Sequence, residues 1–123
     1  MGLALFEAST EQFLVKASEI AELEALGFSR DEIFALVSPR RTLARRIAKG
    51  EKLTLVESDR VARLKRVVSL AERVFGNGEK AHRWLRKPSR PLDGAIPLAL
   101  LVSETGAEQV TNALHAIDHG MYV

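Results

Sequence analysis

Cysteine is absent from this 123-residue chain. That excludes disulfides, thiol nucleophiles and thiolate metal centres together. It also fits a reducing compartment, and a cytoplasmic location is the expectation. Long apolar runs are missing too. The longest is Ile96-Pro97-Leu98-Ala99-Leu100-Leu101-Val102, well short of the roughly 18 residues that a membrane span needs. No membrane partner is therefore expected. The N-terminal residues carry no basic stretch ahead of apolar ones, unlike a secretory leader. Phe6 stands where N-myristoylation wants Ser or Thr. No window alternates Val, Ile, Thr and aromatics with polar residues, so strands are not expected either. Neither an internal repeat nor a low-complexity tract occurs.

What is present is unevenly distributed charge. The formal net charge is only +2. Residues 1–29 carry five Glu against Lys16, residues 30–90 carry seventeen Lys and Arg against seven Asp and Glu, and residues 91–123 carry four acids and no Lys or Arg. A basic middle between acidic ends points to one surface that faces a polyanion and others that avoid it. The densest basic stretch is Ser38-Pro39-Arg40-Arg41-Thr42-Leu43-Ala44-Arg45-Arg46-Ile47-Ala48-Lys49-Gly50. Ser38 can cap a helix there, and Pro39 suits its first position. Leu43 and Ile47, four apart, share one face. Arg40, Arg41, Arg45, Arg46 and Lys49 take the others, which makes a surface suited to phosphates or a duplex groove. A merely solvated helix face is the plainer alternative.

Helix-start signals recur along the whole chain. Ser9 with Gln12, Ser29 with Glu32 and Thr54 with Glu57 each have capping-box spacing. The first predicts a helix with Phe13, Ala17 and Ile20 on one face, ended by Gly27. The second opens a short helix through Leu36. The basic helix follows and stops near Gly50. The third box opens the longest helix, with Val61, Leu64, Val68, Ala71 and Phe75 at three-to-four spacing, closed by Gly76 and Gly78. A further helix follows Asn77 or Gly78 and passes through Trp84. Residues 87–94 are turn-rich. Pro97 opens a short helix to about Val102, and Thr105-Gly106-Ala107-Glu108 starts the last, with Val110, Ala113, Leu114 and Ile117 inward and Gly120 at its end. The expectation is an all-α protein of about seven helices. Residues 29–50 outline a helix-turn-helix, although Val37 sits where a Gly is usual. Two regions are expected: 1–60, holding the helix-turn-helix-like part, and 61–123, a compact helical unit.

Catalysis finds little to work with. His115 and His119 have a metal-ligand spacing on one helix, but Ala116 stands where a metalloprotease needs Glu, and no third His or Cys lies nearby. Gly76-Asn77-Gly78-Glu79 lacks the Lys-Ser/Thr of a phosphate loop. No nucleophile, base and orienter come together. The expectation is no enzyme, no catalytic residue, no metal, no cofactor and no small-molecule substrate.

The ordered series of residues resembles a known family. Ser38-Pro39-Arg40-Arg41-Thr42-Leu43-Ala44-Arg45-Arg46, then Leu53, Glu57-Ser58-Asp59-Arg60-Val61 and Leu64, are followed by Ala71-Glu72, Val74-Phe75-Gly76, Ala81 and Trp84-Leu85. Pro91-Leu92, Gly94, Pro97-Leu98, Leu100-Leu101, Thr105-Gly106-Ala107 and Ile117-Asp118-His119-Gly120-Met121-Tyr122 complete it. From about Leu26 onward this is similar to the Xre/MbcA/ParS antitoxins. The resemblance implies a type II toxin–antitoxin pair, with a RES-domain toxin that consumes NAD or ADP-ribosylates a target. It implies that the C-terminal helices, a toxin-binding domain, block the toxin's active site, and that the helix-turn-helix represses the operon. Toxin-facing positions would be Trp84, Leu101, His115, His119, Gly120, Met121, Tyr122 and Val123. Operator-facing positions would be Arg40, Arg41, Thr42, Arg45, Arg46 and Lys49. Helix-turn-helix proteins usually pair, so a dimer or higher self-association is expected. A repressor without a toxin, its last helices serving only to dimerise, is the alternative.

Overall fold

A computed structural model describes residues 16–121. The expected first capping box at Ser9 and Gln12, and Phe13, Tyr122 and Val123, lie outside the described residues. Among the described residues there are seven α-helices and no strand, as the capping signals predict. An isolated bridge joins Lys16 and Lys52. The chain divides into two compact units between Val61 and Ala62.

The first unit holds a 3-10 turn at Ala17–Ile20, α1 (Ala21–Ala25), α2 (Arg30–Leu36), α3 (Arg40–Lys49) and the first turns of α4 (Leu55–Phe75). The end of α1 is tied by two reversed bonds. The Phe28 amide donates to the Leu23 carbonyl and the Gly27 amide to that of Glu24, with Leu23 and Phe28 both buried beside the turn. Ser29 and Glu32 then form the capping box that their spacing predicts, at 3.1 and 2.8 Å. Thr54 and Glu57 do the same for α4, at 2.9 and 3.2 Å. Ile33, Leu36, Val37, Leu43 and Leu53 are buried among these elements, and α3 packs on the 3-10 turn.

Two details of α3 differ from the expectation. Its N-cap is Pro39, with extended backbone and no side-chain cap, and the helix proper begins at Arg40. Ser38 is buried instead and hydrogen-bonds Glu57, a partner nineteen residues away. A local cap competes with a distant carboxylate, and the carboxylate wins because it needs donors in a dry site. Ile47 shares the face of Leu43 but stays 49% exposed, against 1% for Leu43. Only one of the two is a core anchor.

The second unit contains the rest of α4, then α5 (Gly78–Leu85), a 3-10 turn at Arg90–Leu92, α6 (Pro97–Leu100) and α7 (Glu104–Asp118). Leu64, Val68 and Ala71 are buried, as their spacing predicts, while Phe75 is half-buried. Gly76 ends α4, with φ +64. Gly78 opens α5 rather than closing α4, because Asn77 caps the Lys80 amide at 3.0 Å. Pro97 opens α6 as expected. The last helix starts at Glu104, one residue before the expected Thr105, because the Ser103 hydroxyl accepts from the Gly106 amide at 2.9 Å.

Gly106 is a point of close packing in this unit. A Cβ there would overlap the Leu100 carbonyl oxygen, so α6 and α7 meet this closely only because position 106 has no side chain. Ala would gain helix propensity of about 1 kcal/mol. The overlap with backbone, which cannot rotate away, costs about 1–3 kcal/mol or more. Gly106→Ala is therefore expected to lower the thermal midpoint of the chain by several degrees. An unchanged or raised midpoint in a calorimetric scan would show that the α6–α7 contact relaxes freely.

Candidate functional site

The basic helix α3 follows α2 after a three-residue turn, Val37 to Pro39. Arg40, Arg41, Arg45 and Lys49 are exposed, and Thr42 is half-buried at the helix start. These four cations are where the sequence places a polyanion contact, and they leave the N-terminal turn of α3 open for groove contacts. Arg46 is different. Its side chain is 15% exposed, its Nε lies 2.9 Å from Glu57 Oε1, and its Nη1 lies 3.5 Å from Glu51 Oε2. A guanidinium held between two carboxylates inside its own unit is not free for a phosphate. Arg46, expected among the operator-facing positions, thus forms an internal ion pair.

Three arginines of α4 make contacts within their own units, Arg63 buried, Arg60 half-buried and Arg66 exposed. Arg60 donates to the Val37 carbonyl at 3.0 Å. Arg63, 9% exposed, donates to the Leu101 carbonyl at 3.2 Å and to Glu104 at 3.1 Å. Arg66 reaches Glu104 at 2.8 Å. Arg60 and Arg63 thus serve as structural anchors, while Arg66 pairs with Glu104 at the surface. Arg63 satisfies a carbonyl left over at the end of α6, the kind of group every helix end must place somewhere. Hydrogen bonding from Arg63, with the nearby charge of Arg66, holds the Glu104 carboxyl below its usual range.

Glu57 sits at the centre of the first unit's polar network. Burial pushes its carboxyl up, but the Thr54 amide, the Ser38 hydroxyl and Arg46 together pull it down, and the net direction is below the ordinary value of 4.5. A carboxylate whose folded pKa is lowered adds stability above its unfolded pKa and loses it as pH falls through the folded value. The chain is accordingly expected to lose unfolding free energy as pH falls below about 4.5, and Glu57→Gln is expected to flatten that loss. Urea titrations of both proteins across the acid range check this. Parallel curves would mean that Glu57 is no better solvated by its partners than by water.

In the second unit, Phe75, Trp84, Pro88, Arg90, Pro91, Ile117 and Met121 line an open cleft of about 570 Å³. Trp84 is half-buried and leans on Phe75, ring centroids 5.8 Å apart and tilted by 45°. That geometry suits aromatic quadrupoles and leaves part of the indole facing the cleft. Met121 reaches the same cleft through a specific chain reversal. Gly120 adopts φ +75, its amide donates to Ile117, and the Met121 amide donates back to the Ala116 carbonyl at 2.9 Å. This is the same two-bond closure that ends α1, and the positive φ is the reason a glycine belongs there. Met121 is 71% exposed.

Of the eight C-terminal positions singled out from the sequence, the structure brings Trp84 and Met121 to one cleft, with Gly120 as the turn that puts Met121 there. His115 and His119 are exposed and do not line the cleft. Leu101 is fully buried, so its side chain belongs to the core. Phe75 and Ile117 belong to the cleft and were read only as core spacing. Among the described residues no group of three His, Cys, Asp or Glu is placed to hold a metal ion, and no helix is long and apolar enough to cross a membrane.

Residues 70–120, which carry most of this cleft, match the model of a family described as the antitoxin Xre/MbcA/ParS C-terminal toxin-binding domain. The chain is 39% identical over 108 residues to a Pseudomonas putida KT2440 protein named antitoxin Xre, covering 88% of this chain and 64% of that protein. Proteins of the same name from Photorhabdus laumondii and Yersinia enterocolitica are 38% and 36% identical over 82 and 85 residues. Those matches cover 66% and 68% of this chain, and 55% and 57% of the relatives. The chain thus spans less than two thirds of the length of these curated relatives.

Proposed function

We propose, from the premise that this chain belongs to the Xre/MbcA/ParS antitoxin family, that it is the antitoxin of a type II toxin–antitoxin pair. The second unit captures the toxin. The observation that carries this reading is the coincidence of the toxin-binding family match with the cleft that gathers Trp84 and Met121. An aromatic and a pliable thioether in one cleft are the residue types that anchor protein interfaces. The partner is a RES-domain toxin that consumes NAD, or uses it to ADP-ribosylate a target, as the family resemblance implies. The C-terminal end of the chain obstructs its active site.

The first unit supports a second activity of the same protein. Its exposed Arg40, Arg41, Arg45 and Lys49, following a helix and a short turn, suit operator binding and repression of the chain's own operon. Operator binding by such units is usually dimeric, so self-association accompanies it.

Growth tests the main reading. The reading frame beside this chain's gene, expressed alone, should arrest cells and deplete their NAD. Co-expression of this chain should restore both. Arrest that co-expression leaves untouched would overturn the antitoxin assignment, and a neighbour that neither arrests growth nor binds the chain would favour a repressor without a toxin.

A further inference from the structure

The turn before α3 and the middle of α3 are held by the same short stretch of α4. Glu57 takes the Ser38 hydroxyl at the turn and the Arg46 guanidinium in the helix. One helical turn further on, Arg60 donates to the Val37 carbonyl at 3.0 Å. Val37 and Ser38 are buried, at 1% and 7% exposure. Glu57 itself is 6% exposed, and its capping box with Thr54 fixes where its carboxylate sits. Three anchor points, at Val37, Ser38 and Arg46, therefore converge on two residues three apart.

None of these groups is placed to meet a ligand, yet together they set both the position and the roll of α3. A recognition helix reads base edges only when its first turn enters the groove at a fixed depth and angle. Phosphate contacts tolerate displacement better, because Lys and Arg side chains are long and flexible. Loosening the anchors should thus act on sequence selectivity before it acts on charge-driven affinity.

We propose that Glu57 and Arg60 are positioning residues that set the duplex selectivity of α3 without touching DNA. This rests on the reading of α3 as an operator-binding helix. Sequence pattern alone hides the role, since Glu57 is read there as a cap and the contact of Arg60 with Val37 spans 23 residues. The cap is real, but it is one of three things the carboxylate does.

The test uses the full chain and its Glu57→Gln and Arg60→Met variants, which keep side-chain volume close to the original. Binding is measured by fluorescence anisotropy against two labelled duplexes: the DNA upstream of the chain's own gene, and a scrambled duplex of equal composition. Each is titrated over a series of salt concentrations. The upstream-to-scrambled affinity ratio should fall about tenfold, the scale of one lost base contact. The salt slope should stay that of the unaltered chain, because the exposed cations are untouched. Variants that lose affinity for both duplexes equally, or keep the full ratio, overturn the proposal. A thermal melt of each variant shows whether it is folded at the titration temperature, so that a fallen ratio in a folded variant reports the placement of α3 rather than a general loss of stability. Should the unaltered chain bind neither duplex, the operator reading itself fails and this proposal with it, which separates that failure from a ratio that is present but indifferent to Glu57 and Arg60.

Discussion

Replacing Trp84 with Ala is expected to weaken toxin capture by about 2 kcal/mol or more, roughly thirtyfold in Kd. The indole is half-buried against Phe75 and opens onto the cleft that also receives Met121. Truncation removes a large rigid contact from the rim and leaves a hollow that water must fill. Part of the cost falls on the unit itself, since the pairing with Phe75 contributes about 0.5–1.5 kcal/mol beyond its buried area. Met121→Ala separates the two effects. At 71% exposure its side chain does little for folding, so the unfolding midpoint should hold while capture weakens. Calorimetric titration of each variant with purified toxin, beside a thermal melt, makes the comparison. If both variants bound as tightly as the unaltered chain, the interface would have to lie elsewhere on the second unit.

The second large effect is expected from the triple variant Arg40→Ala, Arg41→Ala, Arg45→Ala. All three side chains are exposed on α3. If each neutralises one phosphate, their removal should lower the salt slope of duplex binding by about 2 to 3 and reduce affinity at least hundredfold at moderate salt. Toxin neutralisation should be untouched, because the cleft belongs to the other unit. A triple variant that retained both affinity and salt slope would remove α3 from the nucleic-acid interface altogether. Arg46 is left out of the set on purpose. It is held by Glu57 and Glu51, so its loss would strand a buried carboxylate and confuse a folding defect with a binding one.

Arg46 also shows how far the sequence could be read. The helix boundaries were largely legible, because their causes are local. Ser29 with Glu32 and Thr54 with Glu57 are three residues apart, and Gly27, Gly50 and Gly76 mark helix ends at the same short range. The family resemblance was legible for a different reason, since an ordered series of residues survives without any knowledge of geometry. What the sequence hid are partnerships across distance. Ser38 looked like a cap and is claimed by Glu57. Arg63 and Arg66 both pair with Glu104, and Arg63 also donates to a carbonyl at the end of α6. The charge surplus of the middle segment was real in the sequence, but several of its arginines are folded inward, and the cations left for a ligand on α3 are fewer than a count suggests. The burial of Leu101 is hidden for the same reason, because burial depends on what packs over a residue. Gly106 carried a visible signal, a glycine three residues after a capping serine, but its consequence needs the Leu100 carbonyl beside it.

The reversal at Gly120 bears on how strongly a short C-terminal anchor can bind. Association removes conformational freedom, at about 0.5–1.5 kcal/mol for each flexible side chain that becomes fixed, with backbone ordering added where a segment is free. At Met121 the backbone amide is already tied to Ala116. What remains to be ordered there is the side chain, whose thioether can settle into an irregular pocket by rotating rather than by moving the chain. In the toxin complex proposed above, such an anchor is preorganised at its root and adaptable at its tip. More of its contact energy is left to set the residence time of the complex, which is where differences in affinity between related interfaces mostly reside.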